Sequence, residues 1–287
     1  MSTLSYEIVD VFTDRPFAGN PLAVVFGADG LARDQMQALA REFHLSETVF
    51  VLPPTVEGAT YRARIFTPEE ELPFAGHPSV GVAVTQMRRG LFRPGVVLQE
   101  CGAGVLPIDV DGDGRATVTG GVPSIGPELD PAPLLTAVGL VESDYAGPAP
   151  RMAGCGLDFP FLSVRPQAVA RAHLGAPVPG VGDVCVFAFD PSERRSHARV
   201  FVPGKGVPED PATGSAALGF GVWLVASGLL PGDGESSYVV RQGAELHRPS
   251  TLECEVSAVD GHAVRVTVTG SVVHIALGEI TVPPFVG

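Results

Sequence analysis

Ala63-Arg64-Ile65-Phe66-Thr67-Pro68 and Ala198-Arg199-Val200-Phe201-Val202-Pro203 are nearly the same phrase, written twice in a chain of 287 residues. The same offset carries Pro73 onto Pro208, and after a slip of three residues Gly76 falls on Gly214 and Gly81 on Gly219. Each copy reads as a strand, a proline-containing loop, a glycine turn and a helix. The sequence therefore predicts two similar domains related by a pseudo-two-fold, residues 1–120 and 130–277, with residues 278–287 returning to the first. The run from Val122 to Pro133, with its four prolines, is the expected link. Coincidence among 35 glycines and 27 prolines is the competing reading.

Outward from the repeat, short runs rich in Val, Ile and Phe and bounded by Gly, Pro or Asp predict strands. They are Tyr6 to Thr13, Pro21 to Phe26, Thr48 to Leu52, Tyr61 to Phe66, Val184 to Phe189, Ala198 to Val202, Ala263 to Thr269 and Val272 to Leu277. Met36, Leu39, Ala40 and Phe43 follow the spacing of one buried face, predicting a helix from about Ala32 to Phe43. A second helix opens after Gly76-His77-Pro78 and ends near Gly90, with proline suited to a first turn and glycine to a helix end. The third is the apolar run Ala216 to Leu230, shorter than the roughly 20 residues that cross a bilayer and uncharged on all sides. A helix of that kind must be surrounded by protein.

Composition narrows the function classes. With 45% hydrophobic residues and 18% charged, the chain is long enough to bury a large core without staples. A formal net charge of −13, with no basic cluster longer than Arg-Arg, lacks the positive footprint that nucleic acid requires. Cys101, Cys155, Cys185 and Cys254 lie far apart with no metal spacing, and read as buried thiols of a reducing cytosol. No export signal is visible at the N-terminus. Dinucleotide, P-loop, zinc-protease and serine-hydrolase signatures are all missing.

Two constellations occupy equivalent places in the repeat: Pro73-Phe74-Ala75-Gly76-His77-Pro78-Ser79 and Glu209-Asp210-Pro211-Ala212-Thr213-Gly214-Ser215-Ala216. Both set small residues and a polar side chain at a helix start, where free N–H groups and the helix dipole favour an anion. If both starts met in one cleft, the cleft would take a carboxylate-bearing small molecule. Taken singly, Asp210, Thr213 or Ser215 is equally readable as a helix cap, and His77 as a turn histidine. Glu47 stands between a helix and an apolar strand, in Leu45-Ser46-Glu47-Thr48-Val49-Phe50-Val51. Desolvation there would raise its pKa toward the range of proton transfer, unless it is an exposed strand-start residue. Glu69-Glu70-Glu71 reads as a solvated loop.

Asp10-Val11-Phe12-Thr13 with Phe17-Ala18-Gly19-Asn20-Pro21, Ser46-Glu47-Thr48, Phe74-Ala75-Gly76-His77-Pro78, Asp210-Pro211-Ala212-Thr213-Gly214-Ser215-Ala216 and Gln242-Gly243 with Arg248-Pro249-Ser250 together resemble the PhzF-like phenazine biosynthesis family. The motifs stand in the family's order over essentially the whole chain. The resemblance implies an α+β, diaminopimelate-epimerase-like fold: two pseudo-symmetric domains, each a curved, mostly antiparallel sheet wrapped around a central helix. It also implies a cytoplasmic homodimer that isomerises a small carboxylate-bearing substrate without metal or other cofactor, and with no nucleic acid or membrane partner. By that resemblance Glu47 matches the acid/base that moves a proton between substrate carbons, His77 the active-site histidine and Asp210 the substrate-contacting aspartate of the same catalytic set, and Gly76, Ser79, Thr213, Gly214 and Ser215 bind substrate. The family usually has glycine directly before Arg-Pro-Ser, where this chain has His247. A two-base amino-acid racemase or epimerase would need a cysteine in each repeat motif, and neither contains one. A non-catalytic carboxylate-binding protein on the same fold is the other alternative.

Overall fold

In the computed structural model, which describes residues 2–204 and 207–284, the chain divides into two units. One runs to Val118 and resumes at Thr269; the other is Thr119–Val268. The first contains β1 (Thr3–Val11), β2 (Asn20–Phe26), α1 (Arg33–Phe43), β3 (Glu47–Leu52), β4 (Tyr61–Phe66), β5 (Glu71–Leu72), α2 (Gly76–Arg88), β6 (Gly95–Cys101), β7 (Gly104–Val110) and most of β8 (Arg115–Thr119). The second holds β9 (Ser124–Glu128), α3 (Pro131–Ala137), β10 (Arg151–Gly154), β11 (Asp158–Ser163), α4 (Pro166–Val169), β12 (Val184–Asp190), β13 (Arg195–Phe201), β14 (Glu209–Asp210), α5 (Gly214–Ala226), β15 (Gly234–Gln242) and β16 (Ser250–Val259). The last strand, β17 (His262–Thr281), starts in the second unit and finishes in the first. The fold is α+β, mostly strand with few helices.

The two units repeat one pairing scheme. In the first, β1 pairs with β2 antiparallel, β2 with β3 parallel, β3 with β4 and β4 with β5 antiparallel, and β4 with β6 parallel. In the second, β10 to β11, β11 to β12, β12 to β13, β13 to β14 and β13 to β15 follow the same alternation. The parallel steps are those that carry a helix between strands, α1 and α2 in one unit and α4 and α5 in the other, as a parallel connection requires.

Strand pairing also relocates the three-residue slip of the repeat. Phe66 faces Glu71 and Phe201 faces Glu209, so the slip lies in the loop before Glu209. Pro73 therefore answers Pro211, and its match to Pro208 is accidental. Glu71 answers Glu209 and is no solvated loop residue: Arg64 grips it with Nε at 2.6 Å and Nη2 at 2.8 Å. Arg199 grips Glu209 in the same way, at 2.8 and 2.6 Å. Glu69 and Glu70 are exposed.

Helices α2 and α5 bury nearly every residue. The first packs on β1, β2, β3 and β7, the second on β9, β10, β11 and β16. Glycine permits this closeness: a Cβ on Gly81 would come within 2.5 Å of Leu22 Cδ2, and one on Gly219 within 2.8 Å of the Ala153 carbonyl oxygen. Around α5, Phe161, Phe187, Phe220, Trp223 and Tyr238 stack edge to face. The helix ends at Ala226, earlier than the apolar run ends, since Gly228 takes a φ of +69°. Among the described residues no helix is long and apolar enough to cross a membrane.

Three expectations are corrected. The proline run at 122–133 is no open link, because it supplies β9, which pairs with β10, and the start of α3, where Pro131 fits the first turn after the Asp130 cap. The strands expected at 263–269 and 272–277 are one, because Gly270 lets Phe12 lie against the backbone, where a Cβ would stand 2.2 Å from its ring. The return to the first unit comes at Thr269 rather than 278, since β17 already pairs with β1 from Val272 onward.

Candidate active site

In the first unit, three elements bring three polar side chains together. Asn20 opens β2, Glu47 opens the neighbouring parallel strand β3, and His77 stands in the first turn of α2, which packs on both. Glu47 is delivered by the end of α1, where His44 takes a φ of +51° and turns the chain back toward the sheet. Its Oε2 lies 3.1 Å from His77 Nε2, in contact but off the axis of a straight hydrogen bond. Such contacts commonly tighten only when substrate is bound. On the other side of the ring, Asn20 Nδ2 is 3.2 Å from His77 Nδ1.

Burial holds the His77 imidazole down to about pKa 3, so the ring is neutral across the physiological range. Its contact with Glu47 is therefore that of a neutral ring with a carboxyl group. The Glu47 side chain keeps 15% of its surface exposed against 4% for His77, so the glutamate is the member of the pair that reaches the surface.

The helix starts are built alike. Neither Ala75 before α2 nor Thr213 before α5 caps its helix with a side chain, and neither first turn contains an acid. The first N–H groups of any helix lack intrahelical acceptors, which leaves both starts suited to an anion. Each preceding loop is held from behind by a glycine of the next hairpin: a Cβ on Gly102 would come within 2.7 Å of Pro73 Cα, and one on Gly243 within 2.6 Å of the Pro211 carbonyl oxygen. Gly102-Ala103-Gly104 thus backs the loop that leads into α2. Ala103 N donates to Pro73 O at 3.0 Å, and Ser250 Oγ to Pro211 O at 2.9 Å.

In the second unit, Thr213 Oγ1 donates to Asp210 Oδ2 at 2.6 Å. Gln242 locks the loop: its Nε2 donates to Asp210 O at 2.7 Å and to Thr213 Oγ1 at 3.0 Å, and its Oε1 accepts from Thr213 N at 3.1 Å. Behind Gln242, the turn that carries Arg248 passes through His247 at a φ of +57°. That backbone explains a glycine at this place and shows that histidine tolerates it at some strain. Ser215 is half-buried at the helix start.

Ser79 is bonded within the core. It has no exposed surface, its hydroxyl donates to Ala75 O at 3.0 Å, and it accepts from Gln99 Nε2 at 2.9 Å. Sequence reasoning gave no chemical role to Asn20, Gln99 or Gln242. Asn20 and Gln242 stood in quoted motifs, but only their hydrogen bonds show what an amide does there. The thiols are kept protonated: burial raises the pKa of all four, that of Cys155 to about 12. Among the described residues no cluster of His, Cys, Asp or Glu is arranged to hold a metal ion.

Comparison with known proteins places this architecture. The family model for phenazine biosynthesis-like proteins matches residues 9–278. A Mesorhizobium japonicum isomerase is 35% identical, over 98% of this chain and 99% of its own length. The trans-2,3-dihydro-3-hydroxyanthranilate isomerase of Pseudomonas aeruginosa is 33% identical, over 96% of this chain and 98% of its own. A crystal structure of a PhzF-family phenazine biosynthesis protein from Bacillus anthracis superposes with a TM-score of 0.86 at 26% identity, covering 98% of this chain and all of that one.

Proposed function

The chain belongs to the phenazine biosynthesis-like family of isomerases, and from that premise we propose a cofactor-independent isomerase that moves a proton between two carbons of a small carboxylate-bearing substrate. Glu47 is the general acid/base. It takes the proton of one C–H bond, leaving the electron pair on the substrate, and returns a proton to another carbon. The observation that carries this reading is the partly exposed Glu47 side chain with its carboxyl 3.1 Å from a buried, neutral His77. His77 orients that carboxyl. Gly76 offers backbone N–H at the start of α2, while Ser79 supports that start from inside the core. Asp210, Thr213, Gly214 and Ser215 bind substrate polar groups at the corresponding place in the second unit, where the negative charge developed in the reaction is met by fixed dipoles. In the finer architecture we propose, the repeated pairing scheme reflects two pseudo-symmetric domains, each with its sheet around its buried helix, in a homodimer.

The test uses the substrate of the Pseudomonas enzyme and its analogues in deuterated water. Wild type incorporates solvent deuterium into an accepted substrate, and Glu47→Gln, with an unchanged thermal melt, incorporates none. Undiminished incorporation in that variant removes Glu47 from the reaction.

A further inference from the structure

We propose that Asn20 is a positioning residue that keeps the single proton of His77 on Nε2, so that Glu47 Oε2 is held as a hydrogen-bond acceptor and Oε1 becomes the oxygen that exchanges protons with substrate. The proposal deepens the reading of Glu47 as acid/base and rests on it.

The argument is a count of donors and acceptors around one ring. His77 is 3% exposed and Asn20 is fully buried, so their polar atoms must find partners inside the protein. A neutral imidazole has one N–H and one bare nitrogen, and which is which follows from the partner on the other side. With the Asn20 amide presenting Nδ2 to Nδ1 at 3.2 Å, the amide donates, Nδ1 accepts, and the proton sits on Nε2, 3.1 Å from Glu47 Oε2. Donor then meets acceptor on both sides of the ring while Glu47 is ionised and ready to take a proton. In the opposite tautomer, Nδ1–H would face the Asn20 N–H group, and the bare Nε2 would face a carboxylate oxygen. Both contacts are repulsive.

This arrangement divides the work of the two carboxylate oxygens. The substrate C–H bond breaks, its proton bonds to Oε1 and its electron pair stays on the substrate. Afterwards the Oε1–H bond breaks, the proton bonds to the second carbon, and Glu47 is a carboxylate again. Throughout, Nε2–H stays turned toward Oε2, so neither the ring nor the amide has to exchange donor for acceptor during the reaction, and preorganised groups of this kind lower the barrier most. The backbone holds Asn20 in place. Gly19 just before it has a φ of +66°, and a Cβ there would come within 2.3 Å of the Val11 carbonyl oxygen, while Asn20 itself pairs with Val11 across β1 and β2.

The experiment reads the ring nitrogens directly, by two-bond proton–nitrogen correlation on protein labelled with 15N-histidine at neutral pH, in wild type, Asn20→Asp and Asn20→Ala. Wild type should show His77 with bare Nδ1 and protonated Nε2. Asn20→Asp presents only acceptors, so Nδ1 becomes protonated, and kcat falls about 100-fold or more with KM little changed, as loss of the working tautomer does elsewhere. Asn20→Ala removes the amide altogether and should give signals averaged between tautomers. A residue that merely filled space would leave the nitrogen signals where they were. Nδ1 protonated in wild type, or still bare in Asn20→Asp, overturns the proposal, and the wild-type spectrum decides this even if a variant fails to fold. Full turnover in an Asn20→Asp protein with a protonated Nδ1 overturns it as well. Failure of the Glu47 reading is seen separately, as undiminished deuterium incorporation in Glu47→Gln.

Discussion

Replacing Glu209 by Ala should destabilise the second unit by about 3 kcal/mol, whereas Glu71→Ala at the equivalent place in the first unit should cost about 1 kcal/mol. Both glutamates accept two bonds from an arginine of the preceding strand. Their surroundings differ. The Arg199 and Glu209 side chains are 8% and 7% exposed, against 18% and 26% for Arg64 and Glu71. Removing one partner of a buried pair strands a charge and costs about 3–5 kcal/mol. Here Glu245 stands 4.0 Å from Arg199, and the carbonyls of Val169, Ala170 and Ala172 still accept from its guanidinium, which keeps the loss near the lower limit. A pair partly in water is worth about 1 kcal/mol or less, with Arg33 sharing Glu71 at 3.1 Å. The assay is urea unfolding. The sole tryptophan, Trp223 in α5, reports the second unit by fluorescence, and amide exchange in β4 reports the first. The joint replacement Arg199→Met with Glu209→Leu should recover only part of the loss: no guanidinium is left stranded, but Glu245 loses its neighbouring cation and three carbonyls lose their donor. A Glu71→Ala loss as large as that of Glu209→Ala, or a Glu209→Ala loss below about 1 kcal/mol, would refute burial as the deciding factor.

Two further outcomes follow from the packing and from the buried histidine. Gly219→Ala gains about 1 kcal/mol of helix propensity, but its Cβ would meet the Ala153 carbonyl oxygen and Gly154 Cα, backbone atoms that cannot step aside. Overpacking of about 1–3 kcal/mol should leave it less stable than wild type, and less stable than Gly81→Ala, whose Cβ meets the side-chain ends of Leu22 and Val11; urea midpoints that rank the two the other way would sink this. His77 titrates near 3 when folded and near 6.5 when unfolded, so between those values the unfolded chain binds the extra proton and stability falls as pH drops. His77→Gln lacks this proton uptake, and the stability of wild type relative to it should decline by up to about 1.4 kcal/mol per pH unit below pH 6. Parallel stability curves for the two proteins between about pH 7 and pH 5 would contradict it.

The repeat was legible because its glycines and its Arg-x-Phe strands answer local demands: a helix start, a close helix-on-sheet approach, a strand face. Helices α1, α2 and α5 followed from apolar spacing and from Pro and Gly at their ends, within a few residues of the observed limits. Strands β15 and β16 escaped notice because their exposed faces carry polar residues that dilute the apolar runs, and β6 and β7 because buried Gln99 and Glu100 in one and Pro107 and Asp109 in the other interrupt them. The Arg64–Glu71 and Arg199–Glu209 pairs escaped for another reason. A run of three glutamates looks like a solvated loop until strand pairing turns Glu71 toward Arg64.

What the sequence determined by itself was the doubling of the architecture, the positions of its buried helices and the small residues at their starts, since these depend on neighbours within a few residues. Tertiary structure decided the register, moving the slip of the repeat to the loop before Glu209, because hydrogen bonds between strands align residues that sequence spacing does not. It also decided the chemistry of His77. Asn20 and Glu47 lie 57 and 30 residues before it in the chain, and only the parallel pairing of β2 with β3 beneath α2 brings an amide and a carboxyl to opposite sides of one desolvated ring.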